Sequence, residues 1–176
     1  MRQNRVTSLP RELGNLVSLK VIDLQDNMLS ELPETISKLT SLRELLLADG
    51  KGTNLLKSLP EGIGEMQSLT QLSLSKNSLQ SLPSSLGKLS KLITLYIDNN
   101  EELAQLPESI GKLQGLNFLS ASKLRLTEIP ETIVSLTSLT RIDLSYNQLK
   151  QLPKDLMLLS SLTSYVKIFF FWHLCS

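Results

Sequence analysis

Residues 19–41, LKVIDLQDNMLSELPETISKLTS, hold the pattern that decides the fold. Aliphatic residues stand at Leu19, Ile22, Leu24, Leu29, Leu32, Ile36 and Leu39, with Asn27 and Pro33 at fixed places between them. The alternation around Ile22 and Leu24 is that of a short strand with one buried face. The Leu32–Pro33 step forces an extended backbone at Leu32. Proline then suits the first turn of a short helix, and an acidic residue such as Glu34 favours a helix N-terminus. Ile36 and Leu39 turn the helix inward. One strand and one short helix result, and neither can bury its apolar side alone.

The same frame recurs along the chain. All seven prolines, Pro10, Pro33, Pro60, Pro83, Pro107, Pro130 and Pro153, follow an aliphatic residue, with gaps of 23, 27, 23, 24, 23 and 23 residues. Further copies open at Leu42, Leu69, Leu92, Leu116 and Leu139. A partial copy (Val6, Leu9, Pro10, Leu13, Leu16) precedes them, and a last one begins at Leu162 and loses the pattern. Such repetition means stacked units that bury a continuous core between neighbours. Strands stacked about 4.8 Å apart form a parallel sheet, and helices need more room per layer, so the sheet side is concave. Asn27 and its counterparts point inward, where a buried amide needs partners. Adjacent loops supply them, which predicts an asparagine ladder.

The frame L-x-x-L-x-L-x-x-N-x-L-x-x-L-P-x-x-I-x-x-L-x-x resembles the leucine-rich-repeat family over about residues 6–162. The resemblance implies an α/β leucine-rich-repeat solenoid: a right-handed coil with a parallel β-sheet on its concave face and short helices or 3-10 turns on its convex face. It is expected to span residues 1–161, followed at 162–176 by an aborted repeat and an irregular aromatic tail. The L-x-x-L-P-x-x-I variant looks most like the intracellular Ras-associated group, with the Ras suppressor, the plant intracellular Ras-group repeats and the Scribble–Erbin scaffolds. The family resemblance implies a protein partner of the kind those scaffolds hold, such as a small GTPase or a phosphatase subunit. It also implies an intracellular scaffold or signalling regulator that acts as a monomer. A second reading makes the chain the recognition segment of a larger immune receptor, kinase or ubiquitin ligase whose effector domain lies elsewhere.

Three repeats depart from the frame. The second carries four extra residues within 48–53, where Gly50 and Gly52 permit a loop with positive φ. Its readings are an extra contact for a partner or a tolerated insertion. Its Gly50-Lys51-Gly52-Thr53 lacks the spacing of a phosphate-binding loop. The fourth repeat has one extra residue near Glu101–Glu102, and the fifth replaces the ladder asparagine with Leu124, a core filler. The start inside a repeat and the aromatic run at 168–172 leave two readings of the tail, an improvised cap or sequence foreign to the array.

The non-core strand positions face the concave side and are the candidate partner surface. They are Val21 and Asp23, Glu44 and Leu46, Gln71 and Ser73, Thr94 and Tyr96, Phe118 and Ser120, and Arg141 and Asp143. The surface continues onto the rim through Ser75, Lys76, Asp98, Asn99, Lys123 and Tyr146, among others. The only aromatics within the repeats, Tyr96, Phe118 and Tyr146, all fall on these outward positions, and aromatics are enriched in binding hot spots. The other reading is that strand surfaces favour aromatics. Carboxylates gather early (Asp23, Asp26, Glu44, Asp49) and cations later (Lys76, Lys123, Arg141), which suits an extended partner with one basic end.

Chemistry is absent from the pattern. The single histidine, His173, and the single cysteine, Cys175, stand in the tail and cannot complete a zinc site or a nucleophile–base pair. No Ser/His/Asp set or phosphate cradle occurs, so no enzyme, cofactor or metal is expected. A net charge of +1 gives no electrostatic case for nucleic acid. Residues 168–174 are far fewer than the roughly 20 that a spanning helix needs, so no integral membrane segment is expected. With one cysteine there is no internal disulfide, no glycosylation sequon occurs and no leader is evident; a cytoplasmic setting is expected.

Overall fold

The computed structural model describes residues 2–48, 54–162 and 165–167. Each alternation of aliphatic residues yields a strand of three residues: β1 (Val21–Asp23), β2 (Glu44–Leu46), β3 (Gln71–Ser73), β4 (Thr94–Tyr96), β5 (Phe118–Ser120), β6 (Arg141–Asp143) and β7 (Tyr165–Lys167). They form one parallel sheet in chain order. Strands this short hold only by stacking. The register is continuous: Ile22 pairs with Leu45, Leu45 with Leu72, Leu72 with Leu95, Leu95 with Leu119 and Leu119 with Ile142. The extra residues of the second and fourth repeats therefore leave the strands unshifted. The sheet itself continues through β7, and residues 168–176 lie outside the described residues.

Opposite the sheet stand, among the described residues, seven 3-10 helices: Arg11–Asn15, Glu34–Lys38, Glu61–Glu65, Ser84–Lys88, Glu108–Lys112, Glu131–Ser135 and Lys154–Leu158. Their kind follows from apolar spacing. Ile36, Leu39 and Leu42 are three residues apart, and three residues make one 3-10 turn. Ile36 N–H donates to Pro33 O, Leu39 N–H to Ile36 O and Leu42 N–H to Leu39 O, at 2.9, 3.1 and 3.0 Å. Each apolar residue thus points inward and links one turn to the next. Proline stands one residue earlier than the sequence reading placed it. It caps the helix from outside, extended at φ −66° and ψ 142° for Pro33, and its carbonyl accepts the first turn's bond.

The outer side is set by close approach. A Cβ on Gly111 would lie 2.2 Å from the Thr132 carbonyl oxygen of the next coil, so only glycine fits. The restriction is reciprocal. Where the glycine position of the second coil holds Ser37, the facing position of the next coil is Gly62, whose added Cβ would meet Ser37 Cβ at 2.6 Å. Between the last two helices neither position is glycine. Val134 and Asp155 occupy them and line a cavity of about 270 Å³.

Between sheet and helices run rows of fully buried aliphatics, Leu42, Leu69, Leu92, Leu116 and Leu139 among them. The asparagine ladder forms as expected. The side-chain oxygens of Asn27, Asn54, Asn77, Asn100 and Asn147 accept the N–H of Val6, Leu29, Leu56, Leu79 and Leu126 of the preceding coil, at 2.8–3.1 Å. Their amide nitrogens donate to loop carbonyls, as Asn100 does to Leu74 and Ile97. The missing rung at Leu124 has a physical reason. The N–H it should receive belongs to Leu103, and the extra residue of the fourth repeat lets Leu103 N–H turn back onto Asn100 O at 3.0 Å. The orphan donor is satisfied locally, so leucine fits. In the same coil Ala121 takes a core position held elsewhere by leucine or isoleucine, which offsets Leu124's bulk.

Leu95→Ala should cost about 2–5 kcal/mol, as a truncation of a fully buried leucine. An unchanged melting temperature would contradict the register. Asn77→Leu strands the Leu56 N–H and should cost about 1–3 kcal/mol in chemical denaturation. Leu124→Asn, where no donor waits, should show no matching gain.

Candidate functional site on the strand face

Because the strands pair in register, outward side chains form rows. Val21, Glu44, Gln71, Thr94, Phe118 and Arg141 make one row, and Asp23, Leu46, Ser73, Tyr96, Ser120 and Asp143 the next. Val21 and Arg141 are exposed, and most of the others are half-buried. Ser73 and Ser120 have the expected outward parity but are buried, at 6% and 8% exposure. Their side chains are short, and their hydroxyls are turned to internal acceptors: Ser73 Oγ donates to Ala48 O at 2.6 Å and Ser120 Oγ to Asp98 Oδ1 at 2.9 Å.

Asp23 and Asp143 have a second duty. Each accepts the N–H two residues on, from Gln25 at 3.2 Å and from Ser145 at 2.9 Å, which fixes the turn leaving the strand. Three residues later, that turn places a non-glycine residue in left-handed conformation in five described coils: Asp26, Lys76, Asn99, Lys123 and Tyr146, at φ between 51° and 58°. Lys123 N–H is held by Ser145 O of the next coil at 2.9 Å, and Lys76 and Asn99 are held in the same way.

Two of the three aromatics are in contact. Tyr96 and Phe118 meet edge to face with ring centroids 5.4 Å apart. The Arg141 guanidinium lies over the Phe118 ring at 4.8 Å. Tyr146 is half exposed, with the Lys123 ammonium 5.9 Å from its ring centroid. A chain of contacts centred on Phe118 thus runs from Tyr96 on β4 to Arg141 on β6 and joins the two rows.

Beside Tyr96 lies a recess of about 330 Å³ that the sequence reading did not foresee. Gln25, Ala48, Gln71, Ser73, Ser75, Lys76, Tyr96 and Asp98 line it. Ser75, Lys76 and Asp98 had been assigned only to the rim. Asp98 is the fixed point: Oδ1 accepts both Ser75 Oγ at 2.8 Å and Ser120 Oγ, and Oδ2 accepts Asn99 Nδ2 at 2.8 Å. The signal available in sequence was the run of small residues, Ala48, Ser73 and Ser75, next to a tyrosine. Another depression, of about 370 Å³, lies at the corners around Pro107, Pro130 and Pro153. The loop expected at 48–53 lies outside the described residues apart from the buried Ala48, as do His173 and Cys175. Among the described residues no metal-binding cluster occurs, and no helix is long and apolar enough to cross a membrane.

The family model described as Leucine Rich Repeat matches residues 18–39, 68–89 and 138–159. These are the repeats without an insertion or a missing asparagine; the three unmatched full repeats are the ones that depart from the frame. No curated protein sequence matches the chain. Among solved structures, a leucine-rich-repeat protein of Leptospira interrogans is 30% identical, with a TM-score of 0.66 over 94% of this chain and 47% of its own. The leucine-rich-repeat ectodomain of the plant membrane receptor kinase GASSHO1/SCHENGEN3 from Arabidopsis thaliana, solved in complex with CASPARIAN STRIP INTEGRITY FACTOR 2, is 38% identical. Its TM-score is 0.72 over 83% of this chain and 17% of its own. The Arabidopsis receptor kinase HAESA, solved with the peptide hormone IDA and a co-receptor, is 25% identical, with a TM-score of 0.75 over 93% of this chain and 31% of its own. The chain spans about half or less of each of these proteins.

Replacing Tyr96 and Phe118 together by alanine should leave the fold intact, with the lost edge-to-face contact costing about 0.5–1.5 kcal/mol beyond the half-buried area removed. Far-UV circular dichroism and a melting curve check this. A loss as large as that of Leu95→Ala would mean that the pair belongs to the core.

Proposed function

Because this chain is a leucine-rich-repeat solenoid, we propose that it is a protein-interaction module that holds a protein or peptide partner on its strand face. The observation that carries the reading is the placement of the aromatics. Every aromatic side chain among the described ones, Tyr96, Phe118 and Tyr146, leaves the core for this face, and Phe118 touches both Tyr96 and Arg141. Leaving such rings in water is unfavourable, and burial under a partner reverses that, as at interface hot spots. The sheet supplies a rigid platform because its register is locked by the buried rows beneath it.

In this reading the protein works as an intracellular scaffold or signalling regulator, cytoplasmic and monomeric, and is no catalyst. A small GTPase or a phosphatase subunit is the partner class that the repeat variant points to. A second reading is supported by coverage: similar solved chains extend well beyond the part this chain spans. In it the solenoid is the recognition segment of a larger receptor, kinase or ligase.

Affinity capture from cell extract, comparing wild type with the Tyr96→Ala/Phe118→Ala double variant, tests the shared premise. A specific partner should be captured by the wild type and lost by the variant. Identical captures for both proteins would place binding elsewhere.

A further inference from the structure

We infer that the recess beside Tyr96 is a subsite for an arginine side chain of an extended partner segment that crosses the strands; the inference rests on the strand-face reading above. The floor is low because Ala48, Ser73 and Ser75 are short and buried, so a long side chain can enter. Asp98 stands in the wall. Its three bonds come from two hydroxyls and one side-chain amide, all neutral, and no ion pair to it occurs among the described residues, although Lys76 lines the same recess. Tyr96 lines the same recess, and its ring packs edge to face with Phe118.

A planar guanidinium satisfies both walls at once, by stacking on an aromatic ring and pairing with a carboxylate, and an ammonium cannot do this equally well. The protein makes the stacking half of that contact on the same sheet, with Arg141 over Phe118 at 4.8 Å. Surrounding charge agrees. Asp23 and Glu44 occupy outward positions of the neighbouring coils, whereas Asp26 is paired with Arg2 and Lys76 is itself engaged within the fold. On β6 Arg141 has no carboxylate partner among the described residues, and it offers its fork to an acidic side chain. From the recess, centred on β3, to β6 is three strand spacings, about 14 Å. An extended segment covers that in about four or five residues. The partner motif is an arginine followed or preceded at that distance by an aspartate or glutamate.

The test is selection of a random dodecapeptide phage library on the full chain, then fluorescence polarisation with the best peptide made synthetically. The expected peptides carry the arginine–acid pair. Changing the peptide arginine to alanine should weaken binding about tenfold, Asp98→Asn should lose a similar factor, and the two losses should not add. Asparagine keeps an acceptor for Ser75 and Ser120, and the change on the peptide reads the same contact without touching the fold. Peptides that need Tyr96 and Phe118 but no arginine would overturn the subsite and leave the strand-face reading standing. Peptides indifferent to the Tyr96→Ala/Phe118→Ala variant would overturn both.

Discussion

Everything in this molecule rests on satisfying backbone donors at the turn after each strand. Coils stacked at strand spacing leave one N–H per repeat pointing into a dry interior, where an unpaired donor costs more than a made bond gains. The buried asparagine answers it: one side-chain oxygen for the preceding coil's N–H, and one amide for carbonyls of the turns. The exception explains the rule. Leu124 is tolerated because the extra residue near Glu101 lets Leu103 bond to Asn100 O. Two irregularities that look independent in sequence are one solution to one unsatisfied donor.

The outer side obeys a second constraint, steric rather than polar. Consecutive 3-10 helices approach so closely that one of two facing positions must lack a side chain, Gly111 against Thr132 or Gly62 against Ser37. Where neither is glycine, at Val134 and Asp155, a cavity lies between the coils. Glycine therefore sets the local spacing of the helices, and hydrogen bonds set that of the strands. Curvature arises from the difference between the two spacings.

These constraints explain what the sequence made legible. The proline register and the period of two fix which residues are core and which row each outward residue joins, because those properties depend only on distance along the chain. The asparagine ladder could be read for the same reason. The sequence reading stops where the answer lies across strands. Ser73 and Ser120 have the right parity to face a partner, yet each is short and hydrogen-bonded into the neighbouring coil. Asp98 was placed on the rim because its two serine donors come from adjacent coils, Ser75 and Ser120, more than 20 residues away in either direction. The proline offset of one residue is of another kind: a 3-10 helix begins one turn geometry later than the assumed helix, and proline's missing N–H is equally harmless just outside it.

The same separation bears on how such a face acquires specificity. Core and ladder positions are claimed by folding, and so are one oxygen each of Asp23 and Asp143. Little of the repeat is then free to vary with the partner. The residues left for a partner are the outward members that no turn or ladder uses, and of these Tyr96 and Arg141 on β4 and β6 are both packed on Phe118 of β5. A side chain held by ring stacking before a partner arrives loses less freedom on binding than one that is loose in water. The preassembled contact therefore favours a segment lying across several strands over one that meets a single coil.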